Sequence, residues 1–187
     1  MLGGAQEACL LTPVEEEARV AKELARLAGV EIDCRIGVAE DLPYDSGTFD
    51  GVYAGGCAHH FNTPIAFPEI SRVLKKGGRF VAIEPWRAPL YSSGIRVFGE
   101  REGNGKVQCK PLTPARAAPL RDSFSTFSTF SVIHHGTFLR YPLLALGKFG
   151  VVASDSLSWK LANIDDWIAD RLHAREWGGS VAILAEK

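Results

Sequence analysis

The sequence predicts an α/β fold: a mostly parallel sheet with helices on both faces. Three observations predict it. Val30, Ile32, Cys34, Ile36 and Val38 alternate with Glu31, Asp33, Arg35 and Gly37, the period of a strand with one buried face. Phe80 to Ile83 is a short apolar run, as expected of a strand covered on both faces. Between them lie a second strand at Gly51 to Ala54 and a helix, so strands and helix alternate along Glu31 to Trp86.

At 187 residues the chain can bury one sizeable core, so a single domain over 1–187 is expected. Hydrophobic residues make up 46% and charged residues 23%, ordinary globular proportions. The net charge of −1 gives no reason to expect nucleic acid as a partner. Cys9, Cys34, Cys57 and Cys109 lie far apart without a C-x-x-C pair. That spacing argues against zinc and for reduced thiols in a cytoplasmic compartment. The apolar stretch from Phe138 to Ala153 is broken by Arg140, Pro142 and Lys148 and is too short to span a bilayer. No basic start with an apolar run follows Met1, so a soluble protein with no membrane partner is expected.

Along the chain, Thr12, Pro13 and Glu15 form a helix start, as N-cap, first helical residue and capping-box acid. Val14, Ala18, Ala21, Leu24, Ala25 and Ala28 recur at helical spacing, and Gly29 ends the helix. A turn at Asp45-Ser46-Gly47 separates the first two strands of the central stretch. After the second, Asn62 or Thr63 caps a helix with a buried stripe of Ile70, Val73 and Leu74, and Pro68 is expected to delay or kink it. Lys75-Lys76-Gly77-Gly78 reads as that helix's end, with positive charge and a left-handed cap at its carbonyl terminus.

Residues 88 to 112 are loop-like, with Arg96, Arg101, Lys106 and Lys110 set against Glu100 and Glu102. The excess reads as a solvated face or as a bias towards an anionic ligand. Thr113-Pro114 restarts a helix to about Asp122, and the Phe124, Phe127, Phe130 pattern then suits a strand. His134-His135 have no nearby Cys or third His, so no metal site is expected. A last helix is expected within Asp155 to His173, with Ile164 to His173 as its narrower bounds, and a terminal strand over Ser180 to Ala185.

The motifs AEDLPYDSGTFDGVY, HHF and EISRVLKKGGRFVAIEPWR, in that order and spacing, resemble the middle of a class I S-adenosylmethionine-dependent methyltransferase of the small-molecule group. The resemblance implies a Rossmann-like sheet with an antiparallel terminal strand beside the family's fifth. It also implies S-adenosylmethionine as cofactor and a small-molecule methyl acceptor. Ala8 to Leu11 then matches the tail of the family's second strand. Val38, Ala39, Glu40 and Asp41 fall on the loop beside the adenine, and Gly55 and Gly56 on the turn that leaves space for the sulfonium. His59 and His60 are candidate bases for the attacking oxygen or nitrogen, or else one packs against the following helix. Glu84, Trp86 and Arg87 fall on the acceptor-facing edge, with a solvated Glu84–Arg87 pair as the alternative. Residues 88–125 correspond to the segment that often forms a substrate cap.

Three family features have no counterpart. The G-x-G-x-G turn after the first strand is absent, Leu10 stands where a ribose-binding acid is usual, and Val38 stands where an acid often meets the adenine. A βαβ unit takes about 30 residues, so about one such unit is expected to be missing at the amino end. Without the first strand, the second and fourth lose their shared neighbour, and association through strand edges is expected. Two functions therefore stay open: methyl transfer, and a truncated, non-catalytic methyltransferase fold acting as a binding or dimerising module.

Overall fold

A computed structural model describes residues 6–86, 112, 114–123, 129–135, 138–139 and 155–187. Strand β1 (Cys9–Thr12), helix α1 (Glu15–Leu27) and strand β2 (Asp33–Ile36) form a βαβ unit with β1 and β2 parallel. Strand β3 (Phe49–Gly55) leads through a 3₁₀ turn (Ala58–His60) into helix α2 (Thr63–Val73) and strand β4 (Leu74–Pro85). Helix α3 (Pro114–Ser123), strand β5 (Thr129–His135), helix α4 (Asp155–Arg171) and strand β6 (Ser180–Glu186) follow.

The described strands make two sheets. One is β1-β2; the other has the order β3-β4-β6-β5. Strands β3 and β4 run parallel, while β6 is antiparallel to both β4 and β5, the terminal arrangement the sequence predicts. Among the described residues β1 pairs with β2 and β3 with β4, and no ladder joins the two pairs.

The core lies on one face of the larger sheet. Phe80 and Ala82 of β4 and Val181, Ile183 and Ala185 of β6 meet Phe67 and Ile70 of α2, all nearly solvent-free. The Phe67 and Phe80 rings sit 6.2 Å apart. Helix α3 packs beside α2 and adds Ala117. Period-2 alternation sends the other side chains to the opposite face. There Tyr53, Val81 and Leu184 stand in one cross-strand row and Ile83, Ala182 and Ile133 in the next. Ile83 is 52% exposed, so the expectation that Phe80 to Ile83 is covered on both faces is corrected.

Three local expectations are also corrected. Thr12 ends β1 rather than capping α1; its hydroxyl accepts the Val14 N–H and donates to Glu17. In the predicted alternation Ile36 and Val38 are exposed, and β2 is confined to Asp33–Ile36 because its outer residues have no ladder partner. Lys75-Lys76-Gly77-Gly78 does not close α2. It lies inside β4 as a bulge, where the register jumps from Phe49–Leu74 to Gly51–Arg79. Helix α4 starts at Asp155, the outer bound expected for the last helix, because Ser156 to Asn163 carry no breaker. Pro68 does sit within α2, at the cost of the bond its N–H would give to the carbonyl of Pro64. No helix among the described residues is long and apolar enough to cross a membrane.

Candidate functional site

The carboxyl ends of the parallel strands β3 and β4 lie side by side, Gly55 facing Ile83 across the ladder. Beyond Gly55 the chain must turn sharply, and Gly56 does so at φ +64°, where a side chain would be strained. The Gly56 N–H donates to the Ile83 carbonyl at 2.8 Å, which carries the chain across the top of β4.

That path brings three successive backbone N–H groups onto one side chain. Glu84 Oε1 accepts from Cys57 at 3.0 Å and Ala58 at 2.8 Å, and Oε2 accepts from His59 at 3.2 Å. His59 Nδ1 lies 2.8 Å from the same Oε2. Glu84 is 1% exposed and His59 6%. A carboxylate stripped of water is tolerable only when its oxygens are fully bonded, and here both are. It also places negative charge at the amino end of the 3₁₀ turn, where the orphan N–H groups need an acceptor. The solvated Glu84–Arg87 pair is thereby corrected: Glu84 shares the inward face of β4 with Phe80 and Ala82.

Burial and the Glu84 charge together push the Cys57 thiol up to about 11. It stays protonated and is no nucleophile at neutral pH. The His60 ring is exposed and leans on that of His59, with centroids 3.9 Å apart. The two glycines differ in the room they leave. Beside Gly56 nothing lies within 4 Å of a Cβ position, whereas beside Gly55 the Tyr53 hydroxyl stands 2.6 Å from it. Trp86 is 7% exposed and meets His134 edge-on at 4.9 Å, and its backbone N–H donates to the Gly179 carbonyl, so it is mainly a core residue. Arg87 and most of 88–125 lie outside the described residues, as do Phe124 and Phe127 of the expected strand.

The acidic loop after β2 is fastened to α2. Glu40 Oε1 accepts the Asn62 N–H at 2.6 Å, and Glu69 Oε2 accepts the Leu42 N–H at 3.1 Å. Arg72 donates to the carbonyls of Tyr44 and Leu42 and grips Glu69 with two further bonds. Those bonds hold the Glu69 carboxyl below its usual range. The loop folds back on itself through a Val38–Asp41 bridge, and Val38 is 45% exposed. Arg35 lies 4.7 Å over the Tyr44 ring, beside a cleft of about 450 Å³ that contains none of the rim residues.

S-adenosylmethionine fits part of this arrangement. The open space at Gly56 and the loop of Val38, Ala39, Glu40 and Asp41 suit its sulfonium and adenine ends. Leu10, where the family resemblance expects an acid for the ribose, offers no side-chain acceptor.

Residues 3–82 match the family model described as a methyltransferase domain. In fold the chain as a whole is similar to Rossmann-like methyltransferases. It is 36% identical over 81 residues to the uncharacterized methyltransferase YcgJ of Bacillus subtilis, covering 42% of this chain and 32% of that protein. It is 34% identical over 100 residues to phthiotriol/phenolphthiotriol dimycocerosates methyltransferase of Mycobacterium tuberculosis, covering 48% and 36%. The matched segment thus spans about a third of these relatives' length. The solved structure of YcgJ aligns over 97% of this chain and 82% of its own, with a TM-score of 0.60 at 20% identity. Geranyl diphosphate C-methyltransferase of Streptomyces coelicolor A3(2), solved with geranyl diphosphate and S-adenosyl-L-homocysteine, aligns over 95% and 61% with a TM-score of 0.58 at 18% identity. The methyltransferase fold thus accommodates both sheets at once.

Sequence reasoning placed His59, Gly55 and Gly56 on the strand rim, and the structure brings them together there with Glu84. It missed the part played by Glu84, Glu69 and Arg72. For Glu84 a signal existed: one acid in the apolar run FVAIEPW, in phase with Phe80 and Ala82. Glu69 and Arg72 carry no such mark, because an i, i+3 ion pair on a helix is ordinary.

Proposed function

We propose that this chain transfers a methyl group from S-adenosylmethionine to a small-molecule acceptor at the carboxyl rim of β3 and β4. The observation that carries the reading is the buried His59 beside the open Gly56 turn, within a segment matching the methyltransferase domain. Small-molecule chemistry is supported by the names of the relatives, one acting on phthiotriol and another solved with geranyl diphosphate.

When bound, the cofactor supplies a methyl carbon already activated by positive sulfur. The chain's own residues have little left to do beyond orientation and a dry site. Gly55 and Gly56 leave room for the methyl group, and Tyr53 must swing away from Gly55 for that room to be complete. Ala39 offers its backbone to the adenine edge, between Val38, Glu40 and Asp41. His59 receives the proton of an attacking oxygen or nitrogen, with His60 as the exposed alternative. Trp86 and Arg87, which follow β4 in the chain, are the candidates for binding the acceptor.

Calorimetry of the 187-residue chain with S-adenosylmethionine tests the reading. Micromolar binding is expected; no binding at millimolar cofactor by a folded chain would sink it. Once an acceptor is known, His59→Ala should lower turnover about 100-fold or more. Unchanged rates in both His59→Ala and His60→Ala would remove the histidines from the mechanism.

The second reading, a non-catalytic binding or dimerising module, is favoured by one observation: among the described residues no ladder joins β1 to β3, where the cofactor's ribose side would lie. Under that reading the free strand edges pair between two copies. Sedimentation would then give a dimer with no cofactor response.

A further inference from the structure

Three backbone N–H groups converge on Glu84, two on Oε1 and one on Oε2. Both oxygens accept from backbone N–H groups, so with Glu84 as the carboxylate the hydrogen between Oε2 and His59 Nδ1 belongs to the ring. A neutral imidazole has a single N–H. If that hydrogen sits on Nδ1, Nε2 is the nitrogen that accepts a proton.

We propose that Glu84 is the positioning residue of this rim, holding neutral His59 as the Nδ1–H tautomer so that Nε2 is its proton-accepting atom. Two features set this apart from a carboxylate that only caps a turn. The three backbone bonds would satisfy a cap, yet the ring is also within 2.8 Å. The ring and the carboxylate are both more than nine-tenths buried, so the contact is fixed by packing rather than by a mobile surface pair. The tautomer stands on geometry alone. Its use in catalysis rests on the methyl-transfer reading above.

Glu84→Gln separates the two roles. The amide oxygen can still accept from Cys57 and Ala58, which preserves most of the cap. The amide nitrogen then faces Nδ1 and can only donate, which drives the ring proton to Nε2. Long-range proton–nitrogen correlation spectra of the labelled full chain, above the titration range of imidazole, read this directly. His59 is assigned by comparison with His59→Gln.

In the wild type Nδ1 should carry the proton and Nε2 should show the shift of an unprotonated ring nitrogen. In Glu84→Gln the two should exchange. An Nε2–H ring in the wild type, or the same tautomer in both proteins, overturns the proposal. Should Glu84→Gln fail to fold, the wild-type spectrum alone decides. The measurement needs neither cofactor nor acceptor. A negative calorimetric result therefore counts against methyl transfer and leaves the tautomer standing.

Discussion

Lys187 places its ammonium 2.8 Å from the carbonyl oxygen of Leu74 and 2.7 Å from that of Ser71. These are carbonyls at the end of α2, which the helix itself cannot satisfy. The cation that complements this helix terminus thus comes from 113 residues away, not from Lys75 or Lys76 as local reasoning suggests. Lys187→Met keeps the aliphatic stem and removes the donor. It should lower stability by about 1–2 kcal/mol, measured by urea denaturation. A change near zero would mean that water replaces the ammonium without loss.

Arg72 holds two loop carbonyls and Glu69 at once, with about a third of its side chain exposed. Solvent screening discounts the ion pair, but the carbonyl bonds remain. Arg72→Ala should cost about 1–2 kcal/mol and raise hydrogen exchange at Leu42 selectively. Uniform exchange changes across the chain would contradict the clamp.

Gly78 has no spare room. A Cβ there would stand 2.9 Å from the Lys75 carbonyl oxygen and 3.2 Å from that of Phe49. Both are backbone atoms of the bulge, so neither yields easily. Gly78→Ala should destabilise by about 1–3 kcal/mol. Gly29 has φ +66° and open surroundings, so Gly29→Ala should cost about 1 kcal/mol from backbone strain alone.

The Cys57 thiol, pushed up to about 11 by burial and by Glu84, should resist iodoacetamide at pH 8, while exposed Cys9 reacts. Site-resolved mass spectrometry reads both. The same shift makes a pH statement. The folded chain holds this proton more tightly than the unfolded chain, so its contribution is intact below about 9 and is lost as pH rises towards 11. The melting temperature should fall through that window, and Cys57→Ala should flatten the fall.

Much of the rim was legible because its signals are local. A glycine pair after a β-like run, and an apolar run before a Glu-Pro, mark the carboxyl ends of β3 and β4 without knowledge of anything distant. What stayed hidden depends on long-range partners. Lys75-Lys76-Gly77-Gly78 has the composition of a helix end, yet Lys187 pairs with Gly78 and Gly77 and extends the strand through it. Thr12 and Pro13 spell a helix cap, yet parallel pairing with Ile36 draws Thr12 into β1. Glu84 looked solvated because its three amide partners lie 25 to 27 residues earlier.

The separation of β1-β2 from the larger sheet bears on how the molecule comes apart. Cooperativity in an α/β protein spreads through contiguous ladders, and here, among the described residues, the loop from Glu40 to Gly47 fastens one half to the other through its polar bonds and through Leu42 against the core. Each half can then lose its order at its own denaturant concentration. A melting curve followed at Trp86, in the larger half, need not coincide with one followed at α1.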